Sequence, residues 1–327
     1  MKCPECRRNH KYRDGMRCRC GYGFVLNPKR DGMTDGRMLA LCRQSSSNGT
    51  YAFTLNQLTT AFCRREMRGR RTQALVVCVV GLLGAGASFF FRDSFTASWW
   101  WYGVGVSLFI ATVFPLILLT EKPKQARFRT IVERWLATGR PLPKLLVEPS
   151  LHEPPPQWDE PDIYDYGVES ILVVQRDLLV DLLVNNEFHA SQRCLVISET
   201  GYPAYLMPKA AELLTQRPDL PVFLLHDATP VGTGMLRRMQ DRPLAANLNA
   251  SLHDLGLFPQ DVARLAKLRP TLRRSGDYAL AVDCIPYAML VSGLSQAIDQ
   301  RVSLADIIDA RQAHGANSGA HDTGGFG

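Results

Sequence analysis

A chain of 327 residues with a formal net charge of +7, 46% hydrophobic and 21% charged, has room for one ordinary domain and one or two small ones. The charge is uneven: residues 1–73 hold 16 Lys and Arg against 5 Asp and Glu, a net +11, and the remainder has a net −4. No HExxH, GxSxG or protein-kinase set occurs, which sets aside the zincin, α/β-hydrolase and kinase classes.

The N-terminus reads CPECRRNHKYRDGMRCRCGYGF, with Cys3 and Cys6 as a C-x2-C knuckle and Cys18 and Cys20 as C-x-C. Two close cysteine pairs, each in a tight turn with Pro or Gly, suit tetrahedral thiolate ligation of zinc. So short a segment has too few apolar residues to fold unaided, so the metal would supply most of its folding energy. The spacing resembles a zinc ribbon over residues 1–30. Its second knuckle is one residue short of C-x2-C, which leaves His10 or Cys42 open as a substitute ligand. Four thiolates leave no open coordination position, so the zinc is expected to be structural.

Residues 31–73 read as a basic helical subdomain. Thr34 or Asp35 can cap a helix through about Gln44, SSNGT is a turn, and Thr54 with Gln57 forms a capping-box pattern before Leu55, Leu58 and Phe62. This unit can pack on the ribbon and rest on a membrane, or bind nucleic acid. The first is preferred, because no recognition motif is legible.

Two uncharged runs follow, Ala74–Phe91 of 18 residues and Trp99–Leu119 of 21. At about 1.5 Å per residue they reach roughly 27 and 31 Å, enough for a hydrocarbon core of about 30 Å. Residues 74–120 are therefore expected to be two transmembrane helices joined by the short loop Arg92–Ser98. Arg64, Arg65, Arg68, Arg70 and Arg71 precede the first run, and Lys122, Lys124, Arg127 and Arg129 follow the second. Positive flanks stay inside, so the expectation is an integral membrane protein with both termini cytoplasmic and the lipid bilayer as a partner. The first run starts too far along the chain for a signal peptide. The pairs Gly81/Ala85 and Gly84/Ser88 allow close helix contact within the hairpin, or a homodimer through the helices. A reducing compartment favours metal ligation over disulfides for the cysteines.

Residues 121–165 read as a basic amphipathic helix, Pro123 to about Thr138, and a Pro-rich linker that should be extended. Residues 166–311 alternate strand and helix. ESILVVQ, RCLVISE and PVFLLHD are buried-type strands, and a fourth is expected near Asn247–Leu255. Helical spacing follows at Arg176–Glu187, Tyr205–Gln216, after ATPVGTGM and from Phe258, and Tyr278–Ile285 is a last strand or a helix start. Such alternation implies an α/β domain with a largely parallel sheet, whose function gathers at the carboxyl ends of its strands. Residues 312–327 read as a disordered tail.

The succession LVISE, VFLLHDATPVG and LHDLGLFPQD resembles the Toprim domain in its topoisomerase VI A subunit version, over roughly residues 168–265. The resemblance implies that Glu199 is the family's acid/base or metal-binding glutamate and Asp227 the first residue of its D-x-D-P-x-G motif. Thr229 stands where the second aspartate would be, and Pro230 and Gly232 keep the P-x-G. Thr229 and Gly232 are thus candidate cofactor-binding positions. Mg²⁺ prefers several anionic oxygens, so the threonine predicts weakened metal affinity and weakened phosphoryl chemistry. The nucleophilic tyrosine's winged-helix domain is not visible before residue 166, so topoisomerase activity is not expected. Asp283 is the first candidate for a third carboxylate.

These observations favour a membrane-anchored zinc-ribbon protein whose degenerate Toprim-like domain is a non-catalytic regulatory or binding module for nucleic acid, nucleotide or protein. The balance leans away from an enzyme. The alternatives are a Mg²⁺-dependent phosphodiester- or nucleotide-processing enzyme using Glu199 and Asp227, and a membrane scaffold that binds another protein.

Overall fold

The computed structural model describes residues 1–90, 99–120, 125–154, 167–241, 252–261, 265 and 280–318. The loop expected at Arg92–Ser98, most of EPPPQWDEP, most of the helix expected after Phe258 and the tail beyond Ser318 lie outside the described residues. In chain order the elements are α1 (Pro28–Asp31), α2 (Asp35–Ser45), β1 (Phe53–Thr54), α3 (Leu55–Phe90), α4 (Trp99–Thr120), α5 (Gln125–Leu136) and β2 (Leu145–Leu146). They continue with β3 (Ser170–Val174), α6 (Asp177–Val184), α7 (Phe188–Ser191), β4 (Cys194–Ser198), α8 (Met207–Gln216) and β5 (Val222–Leu225). The last are α9 (Pro230–Thr233), α10 (Met235–Gln240), β6 (Leu252–Asp254), α11 (Tyr287–Gln300) and α12 (Leu304–Ser318). Two compact units result, residues 1–60 with 129–327, and residues 61–128.

In the unit of residues 61–128, α3 and the Trp101–Thr120 part of α4 are long and apolar enough to cross a membrane. Large side chains along them are exposed, Leu83, Phe90 and Trp101 among them. At Gly81 the two helices approach so closely that a Cβ would lie 2.7 Å from the Ala111 Cβ and 2.8 Å from the Ser107 carbonyl oxygen. The small-residue spacing therefore serves the helix pair, as expected of a hairpin. The boundary expected at residue 73 falls inside α3, which runs unbroken from the capping box through the apolar run. The compact units part between residues 60 and 61 instead.

The other unit is built on a four-stranded sheet in the order β4-β3-β5-β6, every neighbour parallel. SILVV, CLVIS and VFLL are buried at every position, as strands covered on both faces must be. Leu172, Val174, Val196 and Phe223 face one core with Leu182 and Leu294. Ile171, Val173, Leu195 and Leu224 face the other with Leu213 and Met235. The α/β domain with a parallel sheet is therefore present as expected.

Several local expectations are corrected. Of the strand expected near Asn247–Leu255, residues 247–251 lie outside the described residues, and Leu252–Asp254 is a strand. Of Tyr278–Ile285, the described residues 280–285 form neither a strand nor an α-helix start: Leu280 makes one bridge to Ala228, and Val282–Cys284 is a 3-10 turn. Helices α11 and α12 had no counterpart in the sequence reading, and α12 crosses the boundary expected at residue 312. The described part of the Pro-rich linker, up to residue 154, is docked rather than extended. Leu145–Leu146 pairs in parallel with Phe53–Thr54, and the Ser150 N–H and hydroxyl donate to the buried Asp181 carboxylate at 2.7 and 2.6 Å. Prolines set the backbone of such a segment but do not stop its other residues from being buried.

At the N-terminus, bridges Lys2–Asn9 and Arg17–Gly23 form two small loops. Asp35, fully buried, accepts from the backbone N–H of Val25 and of Leu26, each at 2.9 Å, and from the Tyr22 hydroxyl at 2.8 Å. That carboxylate ties the cysteine segment to α2.

Candidate functional site

The four cysteines of the two knuckles converge. The sulfurs of Cys3, Cys6, Cys18 and Cys20 all lie within 4.8 Å of one another, with Cys3–Cys20 and Cys6–Cys18 at 3.6 Å. This cluster could hold a metal ion, and among the described residues no other group of three or more His, Cys, Asp or Glu does so. His10 is engaged elsewhere: its Nε2 is 2.8 Å from the Gly15 carbonyl oxygen, and its ring stacks on Phe24. Cys42 lies buried on α2 outside the cluster, where burial pushes its thiol up to about 12. The pattern C-x2-C with C-x-C is thus sufficient to bring four sulfurs together, without either substitute.

The second candidate site is the carboxyl edge of the sheet. Val174 is in register with Ser198 on β4 and with Leu225 on β5, so the residues just after these strands emerge side by side. They are Gln175 and Arg176 from β3, Glu199 from β4, and His226 and Asp227 from β5. Strand β3 lies between the other two, and its arginine contacts Asp227 and Asp283.

Asp227 is nearly buried. Its Oδ1 accepts from the Val282 N–H at 2.8 Å and from Arg176 Nη2 at 3.3 Å, and its Oδ2 is 2.8 Å from Arg176 Nε. Its own N–H donates to Gln175 Oε1 at 2.9 Å. Burial pushes the carboxyl group above its usual range, against the opposing pull of Arg176. The same guanidinium donates from Nη2 to Asp283 Oδ1 at 2.5 Å, so Asp283 joins the cluster through an arginine. Burial disfavours the Arg176 charge, yet Asp283 and Asp227 more than offset it and raise its pKa. Asp283 Oδ1 also accepts from Asn56 Nδ2 at 2.9 Å.

Glu199, also nearly buried, receives a two-pronged contact from α10: Arg238 Nε and Nη2 donate to its two oxygens at 2.6 and 2.9 Å. A planar guanidinium matches a carboxylate fork in this way. Thr229 caps α9, its hydroxyl accepting from the Gly232 N–H at 2.9 Å. Gly232 passes under the Asp227 carbonyl oxygen, from which a Cβ would stand 2.0 Å.

His226 is fully buried beside this row. Its Nδ1 faces the Asp227 carbonyl oxygen at 3.0 Å and its Nε2 faces the Asp254 carboxylate at 3.1 Å. Sequence reasoning did not single out Arg176, Arg238 or the His226–Asp254 pair. Arg176 had one available signal, its place directly after an apolar strand; Arg238 had none, since only helix packing brings it to Glu199.

Residues 170–278 match the model of the Toprim domain shared by topoisomerase 6 A subunits and Spo11. The chain is similar to meiotic recombination protein SPO11-1 of Arabidopsis thaliana, 32% identical over 99 residues, which are 28% of this chain and 27% of that protein. It is also similar to meiotic recombination protein SPO11-4 of Oryza sativa subsp. japonica, 31% identical over 75 residues, 23% of this chain and 15% of the relative. SPO11-1 of Oryza sativa subsp. indica is 33% identical over 97 residues, 28% of this chain and 26% of the relative. The chain thus spans about a quarter or less of the length of these relatives. No solved structure matches the chain.

These matches bear out the Toprim resemblance and overturn two expectations. The favoured reading, a non-catalytic regulatory or binding module, does not stand beside a topoisomerase-type domain whose relatives are meiotic recombination proteins. Of the expected readings, processing of phosphodiesters or nucleotides lies closer to this finding than a membrane scaffold does. The integral-membrane placement with both termini cytoplasmic is likewise withdrawn. Length and composition are all that α3 and α4 show in its favour, criteria that helices outside membranes also meet. Neither the bilayer nor a homodimer is supported as a partner.

Proposed function

We propose that the chain is a DNA-processing protein whose Toprim-type domain meets the phosphodiester backbone at the carboxyl edge of its sheet. The observation that carries this reading is the match of residues 170–278 to the Toprim domain of topoisomerase 6 A subunits and Spo11, with Glu199 and Asp227 at the ends of the strands flanking β3. The relatives' role in meiotic recombination agrees with DNA as the substrate. Charge supports it as well: Arg7, Arg8, Lys11, Arg13, Arg17 and Arg19 are all exposed on the cysteine segment, and neutralising phosphates with Lys and Arg is the main source of affinity for nucleic acid.

In this reading the cysteine segment is a ribbon held by structural zinc. Tetrahedral zinc with thiolates at about 2.3 Å places sulfurs about 3.8 Å apart, close to the 3.6 Å of Cys3–Cys20 and Cys6–Cys18. Toprim domains also bind Mg²⁺, and for that ion the residues do not fit as arranged. The second aspartate of the motif is Thr229, whose hydroxyl caps a helix. Glu199 and Asp227 are each in contact with a guanidinium group, whereas a hard divalent cation needs several free anionic oxygens. What the chain's own residues do here is hold a row of alternating carboxylates and guanidinium groups. Arg238, its side chain 40% exposed, is the group placed to meet a phosphate.

The test is fluorescence anisotropy of the full chain with labelled duplex and single-stranded DNA over a salt series, alongside nicking and relaxation of supercoiled plasmid. Binding at about 10⁻⁶ M or tighter near 50 mM salt, weakening steeply as salt rises, is expected of phosphate contacts. No binding to either form of DNA at low salt removes the reading.

A further inference from the structure

Toprim carboxylates gather around a divalent ion; in this chain the carboxylates of the edge meet guanidinium groups. Arg176 leaves β3, the strand between those carrying Glu199 and Asp227. It bridges Asp227 and Asp283, with Nε 2.8 Å from Asp227 Oδ2 and Nη2 2.5 Å from Asp283 Oδ1. The side chains of Asp227 and Asp283 are 8% and 1% exposed, and Arg176 is the cation that contacts both of them among the described residues.

The remaining acceptor positions are engaged too. The Val282 N–H donates to Asp227 Oδ1 at 2.8 Å, and Asn56 Nδ2 donates to Asp283 Oδ1 at 2.9 Å. Both Glu199 oxygens accept from Arg238. The fourth position, Thr229, is neutral and caps α9. A guanidinium group keeps its charge at every accessible pH. A metal ion would therefore have to displace a half-buried cation that is already hydrogen-bonded.

We propose that Arg176 and Arg238 are the built-in cations of this edge, standing in place of the divalent ion, so that the domain engages DNA without Mg²⁺. The DNA half rests on the function proposed above; the metal half does not. Arg176 offsets part of the charge of the buried Asp227–Asp283 pair, and Arg238 grips both oxygens of Glu199 at the rim. Thr229 fits this arrangement: a second aspartate would add a negative charge that neither arginine is placed to balance.

The experiment is a Mn²⁺ titration of the full zinc-supplemented chain, read by electron paramagnetic resonance of the free ion, beside DNA anisotropy in EDTA and in Mg²⁺. Wild type is expected to leave millimolar Mn²⁺ free and to bind DNA equally, within about twofold, in EDTA and in Mg²⁺. The double variant Arg176→Gln/Thr229→Asp should gain Mn²⁺ affinity by about tenfold or more, having a carboxylate cluster for a hard cation. Sub-millimolar Mn²⁺ binding by wild type that Asp227→Asn abolishes overturns the proposal, as does DNA binding that needs Mg²⁺. Should the double variant not fold, the wild-type titration with its Asp227→Asn control decides the metal half by itself. Absence of DNA binding under every condition removes the DNA reading and leaves the titration to judge the cations.

Discussion

Gly232 and Gly256 show what a single residue contributes beside this edge. A Cβ on Gly232 would enter the Asp227 carbonyl oxygen at 2.0 Å, and one on Gly256 would lie 2.3 Å from the His226 ring. Gly232 was visible as a motif letter in P-x-G, yet the reason for each glycine is a close approach that the fold creates, to the Asp227 carbonyl oxygen and to the His226 ring. His226 carries a prediction. Its Nδ1 faces the Asp227 carbonyl oxygen and its Nε2 the Asp254 carboxylate, two acceptors that favour the charged form of the ring. Burial opposes that charge, but the hydrogen bond and charge of Asp254 outweigh it and raise the pKa. The stabilisation is therefore fully present below the unfolded value of about 6.5 and is lost as pH rises through the elevated folded value. Urea midpoints measured from pH 5.5 to 8.5 should fall more for wild type than for His226→Asn. Parallel curves would refute the charged state.

Elements with local signals were the most legible. Thr54 and Gln57 form the capping box read from T-x-x-Q: the Thr54 N–H donates to Gln57 Oε1 at 3.1 Å, and the Gln57 N–H donates to Thr54 Oγ1 at 3.3 Å. Gln57 further donates to the Ile285 carbonyl oxygen at 3.0 Å, a bond across the fold that no local pattern announces. Thr54→Ala should cost about 1 kcal/mol of stability, seen as a lower thermal midpoint with unchanged helical circular dichroism. An unchanged midpoint would mean that tertiary contacts alone hold the start of α3. The apolar strands were equally plain, because sheet burial on both faces demands unbroken Val, Ile and Leu. Helices α11 and α12 escaped notice since they follow the strand pattern and their apolar residues, Leu290, Leu294, Leu304 and Ile308, answer to a core set by distant strands. The docked linker escaped for the same reason, its anchor being Asp181 on α6.

At the scale of the molecule, the cysteine segment is the part that should depend on a metal. Its buried core consists of Cys3, Cys18 and Phe24, too small to offset the entropy of ordering the segment. A chelator should release about one zinc per chain, expose four reactive thiols and open residues 1–30 to protease, while the sheet domain keeps its own unfolding transition. Protection of the segment in the metal-free chain would contradict this.

By itself the sequence determined the succession of the apolar strands along the chain, the two cysteine knuckles, the long apolar helices and the Toprim motif positions. These rest on periodicity, spacing and composition within short windows. The tertiary structure alone decided what surrounds Glu199 and Asp227. Strand order places β3 between them, and helix packing brings Arg238 to one carboxylate while a 3-10 turn brings Asp283 to Arg176. Whether a carboxylate meets a metal or a guanidinium group depends on which side chains the fold delivers within about 3 Å of it, and these come from elements far apart in the chain.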